Sequence, residues 1–337
     1  VQQPETLILP RSAVAAGLRE LDLVALAEDV LTRHALGETQ QSPELTLGWE
    51  NAGGAACRSL VKLGAVGRRD VGLKLINASA GNRAAGLERA SGLCVLYDPE
   101  TARPTVVAEA ALLGGVRTAA VTAVALRHLG PPAVEAVSLL GAGPLAGHHL
   151  DVLAAAFPSL REAHVYDRHP ERVKALAARG GRVRVVPCAS ARAAVAATDV
   201  LVTLTTSHEP YIGPDWFARP TFVAHVSLDD LDERVLLGAE GLYVDDEALA
   251  AHPRRILGRL LHDGRIAGSH ADAPSTARRI DATLGDVLLG SRPAIRPSAG
   301  VVAFNPYGLA VLDVALLGAL SGLERIRSRA LPVDLLG

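Results

Sequence analysis

An α/β fold carrying a doubly wound parallel sheet is what this sequence predicts, and three observations predict it. Short apolar strands alternate with helical stretches from Ala136 to Val244. A glycine-rich turn joins the first of those strands to the first of those helices. Of the 337 residues, 49% are hydrophobic but only 3% aromatic, so the core must be packed from small aliphatics laid closely on strands. That length accommodates two domains of ordinary size. Gly130-Pro131-Pro132 is a strong break and marks the crossover between them.

Ahead of the break, short helices and strands are mixed. Asp22–Leu36 has apolar residues at helical spacing, with Gly37 as its stop. Val71–Ile76 and Gly92–Tyr97 read as strands, and Val106–Ala111 as a strand or strand–helix junction. Arg117–His128 reads as a helix. Beyond the break come strands at Ala136–Leu140, Glu162–Tyr166, Val183–Val186, Val200–Thr205, Thr221–Val226 and Gly241–Val244. Residues 252–300 are rich in Arg, Gly, Ser and Pro and show one helix, Ile280–Leu289. Val301–Phe304 then leads through Asn305-Pro306-Tyr307-Gly308 into an apolar helix, Leu309–Leu323.

Composition removes several function classes. A formal net charge of −2 gives no reason to expect nucleic acid or an anionic membrane as partner. The three cysteines, Cys57, Cys94 and Cys188, lack metal-ligand or redox spacing, as expected of buried thiols in a reducing compartment. Eleven histidines form no metal-spaced cluster, so no metal is expected. His148 and His149 read as packing or solvent residues. The opening residues show no basic start followed by an apolar run, and apolar stretches such as Val311–Leu320 fall short of a membrane span. A cytoplasmic enzyme fits.

The most informative motif runs from Val137 to Gly147. Gly141 permits a tight turn, Gly143 lets a pyrophosphate approach the backbone, and Ala146 allows close helix–strand contact, with Pro144 and Leu145 completing the loop. The helix that follows offers unpaired N–H groups to phosphate. Asp167 ends the next strand, 24 positions after Gly143, where a carboxylate accepts from a ribose 2′-hydroxyl and repels a 2′-phosphate. These features predict a Rossmann-type unit that binds NAD rather than NADP, although Arg168 could swing toward a phosphate. Thr205 and Thr206 stand at the carboxyl edge of their strand, as nucleotide contacts or as turn formers.

Two cations outside this unit draw notice. Lys74 interrupts an apolar strand, where an unpaired charge is costly to bury. It is either a snorkelling surface lysine or a pocket cation for a carboxylate or for proton transfer. Arg117 opens a helix in Gly114-Gly-Val-Arg117, where a cation opposes the helix dipole unless an anion is bound. Its forked donors suit a carboxylate. The alternative is a surface arginine.

Taken together, Gly72–Asn77 through Gly81-Asn82, Gly115–Ala120, the Gly141–Gly147 loop, Val226–Leu231 and Phe304–Asp313 resemble the ornithine cyclodeaminase/mu-crystallin family. The stretches span nearly the whole chain. The resemblance implies a homodimer. It also implies a discontinuous α+β substrate-binding and dimerisation domain, residues 1–129 and 305–337, around an NAD domain, residues 130–304. It assigns Lys74 and Arg117 to the substrate carboxylate, Ser227 to the cofactor-binding residues, and a catalytic aspartate to the Asp229/Asp230 pair, with Asp230 preferred. Family chemistry begins with hydride transfer from the α-carbon to NAD, giving an imine.

One departure stands out. Relatives carry a further substrate-binding arginine ahead of the lysine strand, and Gly48 occupies that place here. Either a charge-assisted contact to a carboxylate is lost, or Arg58 or Lys62 supplies it. The segments after Val226 and Phe304 look most like the branch that oxidises N-(2-amino-2-carboxyethyl)-L-glutamate, releasing 2,3-diaminopropionate and 2-oxoglutarate. The other readings are an ornithine- or lysine-type cyclodeaminase releasing ammonia, an amino-acid dehydrogenase or imine reductase, and a mu-crystallin-like binding protein without turnover.

Overall fold

The computed structural model describes residues 5–270 and 278–335. The chain divides into two compact units, Val1–Arg117 with Leu309–Gly337, and Thr118–Gly308.

The first unit is built on an eight-stranded, mostly antiparallel sheet. Its order runs Leu331–Val333, Thr6–Leu9, Pro104–Glu109, Ala90–Tyr97, Asp70–Ser79, Ala56–Val66, Thr39–Gln41, and Leu45–Glu50 also pairs with Ala56–Val66. The long strands Ala56–Val66 and Asp70–Ser79 form a hairpin at Gly67, whose φ of 57° a side chain would resist. One face of this sheet is covered by Ala310–Ser321, a helix apolar almost all round and buried accordingly. Gly64 lets the helix backbone approach, since a Cβ there would stand 3.0 Å from the Val311 nitrogen. Leu23–Ala35 forms the helix expected at Asp22–Leu36, and the Asp22 side chain accepts from the Ala25 amide as its cap.

The second unit holds the doubly wound sheet that the strand–helix alternation predicts. Eight parallel strands run in the order Arg184–Pro187, Glu162–Tyr166, Ala136–Leu140, Val200–Thr203, Thr221–Ala224, Val301–Asn305, Gly241–Val244, Ala282–Thr283. Strand order reverses between Ala136–Leu140 and Val200–Thr203. Ligands of such sheets bind outside the carboxyl ends at that reversal. The glycine turn and Thr205 both lie there.

Some expected elements differ. Ala110–Leu129 is one 20-residue helix, not a strand–helix junction followed by a helix from Arg117. Glycines 114 and 115 obscured it, because glycine costs a helix about 1 kcal/mol and reads as a break. This helix, with mean hydropathy 1.3 and 72% of its most apolar window buried in the protein, is long and apolar enough to cross a membrane. The expectation that apolar stretches fall short of a span is exceeded by length and composition alone, a test that mostly buried core helices also pass. In the 252–300 region Ile256–His262 is an additional helix, and the helix expected over Ile280–Leu289 is shortened to Leu284–Leu288. Leu45–Glu50 does alternate, with Leu45, Leu47 and Trp49 on one face, a strand signal the sequence reading passed over, whereas Ala56–Val66 has no clean alternation to announce it.

Candidate functional site

Three charged side chains meet inside the first unit. Lys74 is paired across the sheet with Lys62 on one side and Cys94 on the other, so these three share a face. The Lys74 ammonium donates to Asp313 Oδ1 at 2.8 Å, and Arg117 donates to Asp313 Oδ2 at 2.8 Å. Asp313 stands in the first turn of the apolar helix Ala310–Ser321 and is fully buried. Two cations on one carboxylate leave a single net positive charge, and one further carboxylate would neutralise it. Arg117 also keeps a buried Nε without a hydrogen-bond partner among the described residues. A buried, unpaired guanidinium N–H is a donor that an acceptor atom of a ligand can satisfy.

Electrostatics follow from burial. Desolvation pulls the Lys74 ammonium below its ordinary value, Asp313 opposes the shift, and Arg117 adds to it. Burial would raise Asp313, but Arg117 and Lys74 prevail and hold its carboxyl below the usual range. The Cys94 thiol beside them is pushed up to about 12 by burial, so it stays protonated and offers no nucleophile. Gly114 has a spatial role here, because a Cβ would collide with the Lys74 ammonium.

Arg117 does not open a helix. It is well inside Ala110–Leu129, so the dipole argument for an anion falls away, and Asp313 supplies the counter-charge instead. Sequence reading missed Asp313 as a partner. The available signal was a carboxylate in an apolar run, which cannot be buried unpaired. Arg58 pairs directly across from Gly48, is exposed, and shares the Lys62–Lys74 face. Lys62 is buried and ion-paired with Glu44 at 3.0 Å.

In the second unit the glycine loop has the geometry expected of it. Gly141 has φ 100°, and a Cβ there would come within 2.7 Å of the Leu204 carbonyl. Gly143, by contrast, faces open space. It caps the helix Pro144–Ala156 with no side-chain acceptor, Pro144 fills the first turn, and Leu145 follows. A pyrophosphate fits where the backbone is bare and the first amides lack a cap. Ala146 is fully buried, as close packing requires. Asp167 braces the turn, accepting from the Ala142 and His169 amides at 2.9 Å each, with Arg172 at 3.5 Å and Arg168 exposed beside it. His149 is a buried packing residue, joined to Thr122 at 3.1 Å and to the Leu145 carbonyl at 2.8 Å.

The Asp229/Asp230 pair divides by environment. Asp229 accepts from Arg255 at 2.6 Å and from the Ile256 amide at 3.1 Å, anchoring the start of helix Ile256–His262. Asp230 accepts from the Thr205 hydroxyl at 2.5 Å and from the Ser227 hydroxyl, with Tyr211 as a further hydroxyl partner. Burial raises the Asp230 carboxyl above its ordinary value despite those donors. Thr205 and Ser227, expected at the nucleotide, thus have their hydroxyls directed at Asp230, while Thr206 is exposed. Among the described residues no group of three or more His, Cys, Asp or Glu could hold a metal.

Comparison with known proteins covers the whole of this arrangement. The profile of the ornithine cyclodeaminase/mu-crystallin family matches residues 4–327. N-((2S)-2-amino-2-carboxyethyl)-L-glutamate dehydrogenase of Staphylococcus aureus is 28% identical over 322 residues, 92% of this chain and 93% of that one. Alanine dehydrogenase of Archaeoglobus fulgidus is 27% identical over 93% of each chain. The crystal structure of CmnK superposes with a TM-score of 0.92 at 46% identity, covering 99% of this chain and 100% of that one. This chain belongs to the ornithine cyclodeaminase/mu-crystallin family of enzymes.

Proposed function

We propose that this enzyme uses NAD to oxidise the Cα–N bond of an N-substituted amino acid to an imine, which water then hydrolyses. The substrate we assign is N-(2-amino-2-carboxyethyl)-L-glutamate, giving 2-oxoglutarate and 2,3-diaminopropionate. The single observation that carries the reading is the buried Lys74–Asp313–Arg117 cluster. Its net positive charge and orphaned Arg117 donor call for one carboxylate, which every α-amino acid possesses. The Staphylococcus aureus relative, acting on that compound by its name and aligned over nine-tenths of both chains, supports the substrate choice.

Roles follow from chemistry. Lys74 and Arg117 hold the α-carboxylate and fix the orientation of the α-carbon. Gly141, Gly143, Pro144, Leu145 and Ala146 receive the dinucleotide, with Asp167 at its ribose. When bound, NAD supplies a hydride acceptor. Asp230 takes the proton from the attacking water. Its raised carboxyl value makes it a stronger base than an exposed aspartate. Asp230 is itself buried, and the half-buried Thr205 and Ser227 hydroxyls bonded to it provide the proton's path. Asp229, tied to Arg255, is structural in this reading. Arg58, opposite Gly48, replaces the arginine that relatives carry there and takes a second carboxylate.

The partner is a second copy of this chain. Leu45, Leu47, Trp49, Leu63 and Leu93 all lie on the sheet face opposite Lys74, and the first two are 67% exposed. Isolated exposed leucines are ordinary, but four of them with a tryptophan on one face of a sheet form a patch that calls for cover.

The test is a panel of amino acids and N-carboxyalkyl amino acids, followed by NADH absorbance and mass spectrometry of products. One NADH per 2-oxoglutarate supports the reading. A cyclic imino acid plus ammonia without net NADH establishes a cyclodeaminase instead, and nucleotide binding without turnover establishes a binder.

A further inference from the structure

His225 is fully buried in the second unit, one residue past the end of strand Thr221–Ala224, and its two ring nitrogens face opposite kinds of partner. Nδ1 lies 2.9 Å from Asn305 Oδ1. Nε2 lies 3.0 Å from the Asp230 amide and 3.3 Å from the Leu231 amide. A backbone amide only donates, so Nε2 must carry no proton. A carbonyl oxygen only accepts, so Nδ1 must carry one. The Asn305 orientation is fixed independently, since its Nδ2 reaches the Tyr243 carbonyl at 3.4 Å and a flipped amide would set oxygen against oxygen. One tautomer of a neutral imidazole satisfies every contact. Imidazolium would satisfy none of those at Nε2.

What the ring holds is an unusual piece of backbone. Leu228 has φ 70°, a left-handed conformation that a leucine avoids unless the surroundings enforce it. That residue starts the run Leu228–Leu231, and the two amides that His225 grips are those of Asp230 and its neighbour. The Asn-Pro-Tyr-Gly segment supplies the other half of the clamp. Asp245 accepts from the Tyr307 and Gly308 amides at 2.8 and 2.7 Å, setting the turn that follows Asn305. Two stretches far apart in sequence, 225–231 and 305–308, are therefore joined through one ring.

We propose that His225, locked as its Nδ1–H tautomer by Asn305, is a positioning residue that aims the Asp230 carboxylate at Thr205 and Ser227. The proposal rests on the reading of Asp230 as the proton acceptor, but its structural half is independent of turnover. The charged groups facing the ring are Asp229, whose carboxylate favours imidazolium, and Arg255, which opposes it, with Asp230 reached through its own amide. Burial outweighs them and keeps the ring neutral, with its value lowered to about 4.

Two measurements test it on the full chain. Nitrogen-15 NMR of histidine-labelled protein at neutral pH should show His225 with a protonated Nδ1 and an unprotonated Nε2. A protonated Nε2 overturns the proposal whatever the substrate proves to be. Kinetics then compare His225→Gln, whose side-chain oxygen can still accept from the two amides, with His225→Leu, which cannot. For His225→Leu, kcat should fall about 100-fold, the cost of a misplaced catalytic group, with KM and NAD affinity changed less than about threefold. His225→Gln should recover most of that loss. Should His225→Leu not fold, Asn305→Ala tests the same link, with the tautomer signal expected to become mixed and kcat to fall. Equal kcat for wild type and His225→Leu, or for wild type and Asn305→Ala, contradicts the positioning role. If instead the tautomer is as stated and no substrate turns over, the proposed function fails and the clamp stands.

Discussion

Lys74 and Asp313, 239 positions apart in sequence, meet at 2.8 Å inside the first unit. The contact ties the C-terminal helix to the middle of the sheet, and Arg117 completes it from the other carboxylate oxygen. Removing one member of a buried ion cluster leaves an uncompensated charge, which costs more than the cluster itself contributes. Asp313→Asn should therefore destabilise the protein by about 3–5 kcal/mol, read from urea denaturation. A loss below about 1 kcal/mol, the worth of a surface pair, would mean that the cluster is solvated.

Lys74→Ala and Arg117→Ala should abolish turnover while leaving NAD affinity within about threefold, because the substrate carboxylate and Asp313 lose a partner whereas the glycine loop does not. Initial rates and nucleotide titration by calorimetry check this. Wild-type turnover in both variants would remove the assigned substrate site.

Arg58→Ala should raise KM for a dicarboxylic or tricarboxylic substrate about tenfold or more, the worth of one charge-assisted hydrogen bond, with little change in kcat. Unchanged KM would show that the vacancy at Gly48 is not filled from across the strand pair.

A pair of charges on the exposed face, Leu45→Lys with Leu47→Glu, should shift the protein from dimer to monomer in sedimentation velocity. A wild-type chain that sediments as a monomer at high concentration would contradict the assigned partner. So would a double variant that stays dimeric.

Acid should weaken the fold before the carboxylates titrate. Burial lowers His149 and His225 to about 4 from an ordinary value of 6.5. The unfolded chain thus takes up these protons first as pH falls. Stability should be level above about 6.5 and decline from there to about 4, by on the order of 3 kcal/mol for each ring. Urea midpoints between pH 7.5 and 4.5 measure the decline, and His149→Gln should make it shallower. A flat profile would mean that neither ring is desolvated.

The doubly wound sheet was legible because its signals are local: apolar strands, a Gly141–Gly143 turn and Asp167 at one strand's end. Lys74 was legible as a misfit, a charge inside an apolar strand, whereas Arg117 was singled out for a helix start that it does not occupy. Asp313 was not, since what pairs with a buried charge is decided by packing between distant segments. The same holds for Thr205 and Ser227, whose hydroxyls could have served a nucleotide until the turn at Leu228 brought Asp230 to them. The helix Ala110–Leu129 was split in the sequence reading because glycine marks a break in isolation. Here Gly114 is kept for the space it leaves Lys74.

The central claim is hydride removal from an α-carbon, and isotope transfer tests it most directly. N-(2-amino-2-carboxyethyl)-L-glutamate carrying deuterium on the glutamyl α-carbon should turn over with NAD to give deuterated NADH and 2-oxoglutarate in equal amounts. Formation of unlabelled NADH, or of ammonia with no reduced nucleotide, would contradict the account.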